Sequence, residues 1–364
     1  MSRYQLFDRS HIELRDLEER GHDLTLAACR RLDAPFARFA HPEFAELVAA
    51  VVEARRRDRP VMLMIGGHPI KLGLSRYLVD LIERGLVTHL ATNGSGSIHD
   101  YELALVGGTS EDVPKWIRAG QFGLWRETSR LNDIIAEAAR RGEGLGEAVG
   151  RTIETEQFPN RQMSIAAAAW RAGIPFTVHV GVGSDIIHAH ANCDGAALGA
   201  ASYTDFLMFA RTVQDLEGGV YLNVGTAVAG PEVYLKALSM ARNVARQRGE
   251  EIRDFTTAVF DLVELPPGYR QGPPGKDHPQ YYYRPWKTIL VRTVADGGRS
   301  YYFCGDHQQT IPTLWSDAVA AMSPASAARS QHAIHRCVES EPADQQKAGR
   351  PGQKAFDSGQ LPRS

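Results

Sequence analysis

The stretch from Val61 to Gly107 constrains the fold more than any other. It opens with the apolar run Val61-Met62-Leu63-Met64-Ile65 and continues into Gly66-Gly67-His68-Pro69. A helical 3.6-residue period follows from Leu72 to Arg84. A second short apolar run, Val87 to Ala91, leads into Thr92-Asn93-Gly94-Ser95-Gly96-Ser97, and a shorter helix is expected after His99-Asp100. Strand, glycine loop, helix, strand, polar loop, helix is the order of a parallel α/β sheet. Both loops fall at the carboxyl ends of strands, where such sheets bind ligands. The expected fold class is α/β, a Rossmann-like doubly wound and mostly parallel sheet.

The pattern resumes after Ser164. Ile165 to Ala172 reads as helix, Phe176-Thr177-Val178-His179-Val180 as strand, and Ser202-Tyr203-Thr204-Asp205 as the cap of a helix running to Asp215. Val220 to Val224 and Thr256 to Asp261 read as strands, with a helix from Pro231 to Ala245 between them. Trp286 to Thr293 and Ser300 to Cys304 suggest two more strands, joined by the turn Asp296-Gly297-Gly298, before a last helix from Thr310 to Met322. Residues 1–60 read mostly as helix packed on this core: Ser10 and Glu13 have capping-box spacing, and Pro42 suits the first position of a helix reaching Arg56. Glu143 to Gln162 is less periodic and reads as a peripheral lobe or lid. The division expected is a helical extension over 1–60, one α/β domain over 61–323, and a polar tail over 324–364 that is largely disordered.

Charge excludes some functions. The 364 residues carry 41 basic and 43 acidic side chains, a formal net charge of −2. That balance gives no footprint for nucleic acid. Four separated cysteines, Cys29, Cys193, Cys304 and Cys337, form neither a disulfide framework nor a CxxC pair. No apolar run reaches membrane-spanning length, and a cytoplasmic protein is expected.

The candidate chemistry starts with carboxylates. Asp100, Asp185, Asp205, Asp261 and Asp306 each fall near a predicted strand end or helix start, where they would hold an amine, a ribose hydroxyl or a metal, or simply cap a helix. Gly66-Gly67 and Gly94-Ser95-Gly96 permit close approach to a phosphate, yet neither matches GxGxxG or the GxxxxGK[ST] loop. Lys287, in Arg284-Pro285-Trp286-Lys287-Thr288, lies beside an aromatic at a predicted strand start. A desolvated lysine there would form an imine, against the plainer reading of a surface lysine. His188, His190 and Cys193, with His179 and Asp185 nearby, have metal-ligand chemistry without a zinc spacing. Ordinary loop or pocket residues are the competing reading.

In its shared order of motifs, roughly over residues 60 to 322, the chain resembles the deoxyhypusine synthase family. Gly73 to Leu78 and Val87 to Asn93 are similar to that family's glycine-helix and threonine-ended strand, and Gly94 to Asp100 to its next loop. Phe176 through Phe206, Val220 to Gly230, Thr257-Ala258 with Asp261, Trp286-Lys287 and Gly305-Asp306-His307 follow in the family's order. The resemblance implies a deoxyhypusine synthase-type fold and NAD as cofactor, with His68, Asn93, His99, Asp100 and Asp185 on the cofactor side. Thr257, Ala258, Asp261, Asp306 and His307 would complete that contact. It implies Asp205, Glu232 and Trp286 at a polyamine and Lys287 as the imine lysine. His99 replaces a family acid, Glu232 stands where a histidine is usual, and Trp286-Lys287 lacks an intervening glycine.

The reading that follows is an NAD-dependent aminoalkyl transferase acting on a polyamine through a lysine imine. A small amine is the expected acceptor rather than a protein lysine. A homotetramer, or dimer of dimers, is implied by the same resemblance. Two alternatives stand beside it: a metal-dependent hydrolase or lyase built on His188, His190 and Cys193, and a non-catalytic nucleotide-binding homologue.

Overall fold

The structure is a computed structural model, and it describes residues 2–322. Six parallel strands form the sheet: β1 (Val61–Ile65), β2 (His89–Asn93), β3 (Phe176–His179), β4 (Val220–Val224), β5 (Thr256–Asp261) and β6 (Arg299–Cys304). Their order across the sheet is β3-β2-β1-β4-β5-β6. Chain direction across the sheet reverses between β1 and β4, which defines a crevice at their carboxyl ends.

The strands are apolar throughout because both faces are covered. Val61, Leu63 and Ile65 of β1 enter one core, while Met62 and Met64 enter the other. The first core is covered by α1 (Phe44–Arg56), the short α2 (His68–Lys71), α3 (Ser75–Glu83) and α4 (Gly94–Val106). Outside them lie α5 (Val113–Arg118), α6 (Arg126–Arg141), α7 (Leu145–Thr155) and α8 (Ile165–Ala172). The second core is closed by α9 (Gly195–Gln214), α10 (Ala229–Gln247) and a π turn, Trp286–Leu290, that runs into α11 (Val291–Ala295). The last helix, α12 (His307–Ala321), returns to the first face against α1 and α3. No helix among the described residues is long and apolar enough to cross a membrane.

Several elements differ from the sequence reading. Before α1 the chain is mostly irregular, with single 3₁₀ turns at Arg9–His11, Leu17–Glu19 and Leu26–Ala28. Ser10 is not a cap: its own amide donates to Asp8 Oδ1 at 2.9 Å. This segment satisfies its backbone across the molecule instead, Leu24–Thr25 pairing with Gly108–Thr109 and the Arg15 amide donating to the Leu124 carbonyl. Trp286 to Thr293 is helical, not a strand. Its β-branched residues suggested a strand, but Trp286, Ile289, Leu290 and Thr293 are all buried, and that is an i, i+3, i+4, i+7 face. α9 begins at Gly195 with Asp194 as its cap, so Ser202 to Asp205 lies mid-helix. The run of alanines between Ala196 and Ala201 carries the helix back one and a half turns or more. Glu143 to Gln162 is no outlying lobe, because α7 buries Leu145, Ala148, Val149 and Ile153 in the first core. The expected tail over 324–364, with Cys337, lies outside the described residues.

Candidate functional site

β1 and β4 part at two glycines. A Cβ on Gly66 would stand 2.4 Å from the Gly225 carbonyl oxygen, so contact between the two loops itself demands glycine. Beside them, Asn93 caps α4: its Oδ1 accepts from the Gly96 amide at 3.1 Å and from Ser95 Oγ at 2.9 Å. Gly94, the first residue of that helix, has the Asp185 carboxylate where a side chain would be, with Oδ2 2.0 Å from an ideal Cβ. The loop after β3 is thus folded back onto the start of α4.

These loops enclose a cavity of about 220 Å³ over the carboxyl ends of β1, β2 and β3. Ile98, Val113, Phe122 and Ile186 give it apolar walls, and Lys71, Ser95, Ser184 and Asp185 line it with polar groups. Its floor is an ionic network. Arg20 donates to both oxygens of Glu102, at 3.1 and 2.8 Å, and both side chains are about 1% exposed. Glu102 also accepts from Thr109 and Thr128, each at 2.7 Å. Burial alone would raise this carboxyl, but Arg20 and the hydroxyl donors hold it below the usual range. Glu111 accepts from the Trp125 indole at 3.1 Å, and its pKa is raised by burial.

His99 Nδ1 lies 2.8 Å from Thr109 Oγ1. Because that hydroxyl's proton is directed at Glu102, His99 must donate from Nδ1, which leaves the lone pair on Nε2. Burial lowers its pKa to about 4, so the ring is neutral near pH 7. Asp185 differs from the floor residues. Its side chain is 8% exposed, Oδ2 has no hydrogen-bond partner, and burial raises its pKa to about 6. Oδ2 packs against Gly94 and lies 3.8 Å from His188 Nε2, so this carboxylate borders the cavity with acceptor capacity that the protein does not satisfy.

A second group lies across the switch point, over β4 to β6. His68 is exposed on α2. His307 is buried against Gly225, where a Cβ would meet Nε2 at 2.7 Å, and its Nδ1 has no partner. Burial lowers the His307 pKa even though Asp261 and Asp306 oppose the shift. Asp306 caps α12 through the Gln308 amide at 2.8 Å. Asp261, at the end of β5, accepts from Tyr283 Oη at 2.7 Å, and that bond holds Tyr283, four residues before Lys287, at this edge.

Other predicted residues sit elsewhere. Asp100 is fully buried, accepting from Ser164 Oγ at 2.6 Å and from the Ile165 and Ala166 amides, and so anchors the start of α8. Asp205 is fully buried between α7 and β3. Thr257 and Ala258 lie in the amino half of β5, Thr257 four residues or roughly 13 Å before Asp261. Trp286 is buried, its indole donating to the Tyr269 carbonyl at 2.8 Å. Glu232 is paired with Lys236 and Arg284. Lys287 rests over the ring of Tyr281.

The histidine-cysteine segment does not gather into a metal site. His188 Nδ1 accepts from the Gly183 and Asp185 amides, His190 Nε2 is 2.7 Å from the Gly123 carbonyl, and Cys193 is a buried thiol. Among the described residues no three histidine, cysteine, aspartate or glutamate side chains are placed to hold a metal ion. Sequence reasoning missed Arg20, Lys71, Glu102, Glu111 and Phe122. Glu102 did leave a trace, being one turn along α4 from His99.

No family model and no curated protein matches the chain. Among solved structures, it is similar to ArgZ, an arginine dihydrolase from the ornithine-ammonia cycle in cyanobacteria, at 12% identity and a TM-score of 0.46. That match covers 78% of this chain and 34% of the other, so the chain spans about a third of that protein's length. A LOR/SDH-type protein from Methanococcus maripaludis S2 is 12% identical with a TM-score of 0.47, over 79% of this chain and 71% of that one. A deoxyhypusine synthase candidate from Entamoeba histolytica is 10% identical with a TM-score of 0.39, over 77% and 88%. Values this low leave the chemistry to be argued from the site.

Proposed function

We propose that the chain is an NAD-dependent enzyme acting on an amine, and more narrowly an aminoalkyl transferase in which Lys287 carries the fragment as an imine. The observation that carries this reading is Asp185, which lines a cavity at the carboxyl edge of a sheet ordered 3-2-1-4-5-6 and keeps one buried oxygen without a hydrogen-bond partner. A nucleotide fits the groups present. Asp185 is an acceptor for ribose hydroxyls, the apolar walls suit a base, and Lys71 with the start of α4 suits phosphate charge. His307, Asp261 and Lys287 then belong to the reacting end. β2 and β5 are three strand spacings apart, roughly 14 Å.

When bound, NAD supplies the acceptor for the hydride that leaves the amine carbon and the donor that returns it. The chain's own groups do the rest. The neutral Lys287 amine adds to the oxidised substrate's C=N bond and expels the departing amine, which leaves with the proton. The carbon fragment stays on Nζ through a new C=N bond until a second amine displaces it. Asp261, beside this segment through Tyr283, is the carboxylate placed to hold the cationic amine. Glu232 is already neutralised by Arg284 and Lys236.

The test combines binding and trapping. NAD is titrated calorimetrically into the wild type and Asp185→Ala. The wild type is then incubated with NAD and putrescine, spermidine or agmatine, reduced with borohydride and analysed by peptide mass spectrometry. Expected are loss of NAD affinity in the variant and an NAD-dependent adduct on Lys287. An adduct on another lysine refutes the role of Lys287. NAD binding with no adduct refutes the transferase and leaves the nucleotide-binding reading.

A further inference from the structure

Lys287 has no carboxylate partner among the described residues. Glu232, in the first turn of α10 on the same face of the sheet, is bound by Lys236 and Arg284. What meets the lysine head is an aromatic ring: Nζ lies 3.1 Å from the centroid of Tyr281. The ring is held in place from several sides. The Tyr281 amide donates to the His278 carbonyl at 2.9 Å, and Tyr282 stands edge-on to Tyr281 at 5.0 Å. The His278 imidazole in turn packs edge-on against Trp286, at 5.4 Å, next to the lysine. Residues 278 to 287 therefore close on themselves, with the tyrosine face turned to the ammonium.

We propose that Tyr281 is a positioning residue that parks the Lys287 head on its ring face, so that the lysine must leave the ring before it reacts. The inference rests on the imine reading above, and it adds the regulation of that same lysine. The face of a phenol ring is electron-rich and attracts an ammonium. Addition to a C=N bond needs the neutral amine. The ring therefore opposes the first chemical step until the 278–287 turn moves.

The experiment uses no NAD and no polyamine, so its failure is distinct from failure of the transferase. The full-length protein is briefly treated with formaldehyde and cyanoborohydride. Methylation at Lys287 is then read by peptide mass spectrometry against exposed Lys276 in the same digest. Tyr281→Leu should raise the Lys287 to Lys276 ratio about two- to five-fold, the range an exposed cation–π contact sustains. Tyr281→Phe should stay close to wild type, because the ring face remains. Tyr281→tetrafluorophenylalanine keeps the shape but drains charge from the face, and should follow Tyr281→Leu. Equal ratios in wild type and Tyr281→Leu overturn the clamp. A fluorinated variant that follows Tyr281→Phe overturns it too, since the ring would then be only a steric cover.

Discussion

Asp205 offers a sharp test of the hydrogen-bond reading. It lies in mid-α9, fully buried, and Oδ2 accepts from the Val178 amide at 2.8 Å and the Gly146 amide at 3.0 Å. β3 is an edge strand, so Val178 has no strand partner on that side, and Gly146 is an unpaired amide in the first turn of α7. One carboxyl group thus ties the sheet edge to a helix start. Burial raises its pKa to about 8, although both amide bonds work against the shift. An unfolded aspartate titrates near 3.9. The folded state therefore keeps a proton that the unfolded state has lost, and stability is full below about pH 4 and falls as pH rises toward 8. Between pH 5 and 8 the linkage amounts to about 3 kcal/mol. Asp205→Asn keeps the amide acceptor and removes the titration. Urea unfolding of both proteins at each pH unit should show the wild type losing about 3 kcal/mol relative to the variant over that interval. Parallel curves would refute the reasoning, because the carboxyl would then ionise equally in both states.

Three further outcomes follow from other contacts. Gly94→Ala places a methyl group 2.0 Å from Asp185 Oδ2; the carboxylate must move, and calorimetry should show NAD affinity falling about tenfold, the loss of roughly one hydrogen bond to a charged group. Arg20→Met leaves buried Glu102 without its partner and should lower unfolding free energy by about 3–5 kcal/mol, with much of the loss recovered in Arg20→Met/Glu102→Gln. His89 and His179 are buried, with pKa values lowered by burial to about 3 and about 4. Each stays neutral when folded, so stability is full above about pH 6.5 and is lost as pH falls, by up to about 1.4 kcal/mol per pH unit per histidine, a slope His179→Asn should reduce.

The sheet was legible because its strands are short apolar runs followed by glycine or polar loops, a pattern that survives without knowledge of neighbours. β1, β2 and the carboxyl edge they share were read from that alone. Segments whose composition suits one element and whose buried face suits another were not legible. Trp286 to Thr293 is rich in β-branched residues, as a strand would be, yet buries a helical face. The start of α9 was missed because small residues from Gly195 to Ala201 mark neither strand nor loop. Residues 1–60 read mostly as helix, but before α1 the chain is irregular because its backbone partners, such as Gly107 and Leu124, are distant in sequence.

The same distinction explains the acids. Five aspartates were expected near strand ends or helix starts, and the structure sorts them by what surrounds their oxygens. Asp306 caps a helix, Asp261 is engaged by Tyr283, and Asp100 accepts three donors inside the protein. Asp185 and Asp205 each keep one oxygen without a partner. They differ in environment. With a pKa of about 8, Asp205 carries its proton at pH 7 and has no need of a ligand. Asp185, at about 6, is mostly ionised there and lines the cavity. A sequence shows where a carboxylate falls along an element, but its donors come from other elements: Ser164 for Asp100, Gly146 for Asp205. Under the proposed reading a ribose hydroxyl goes to a carboxylate that the fold buries, leaves charged and leaves short of a donor, and of these five Asp185 meets all three conditions.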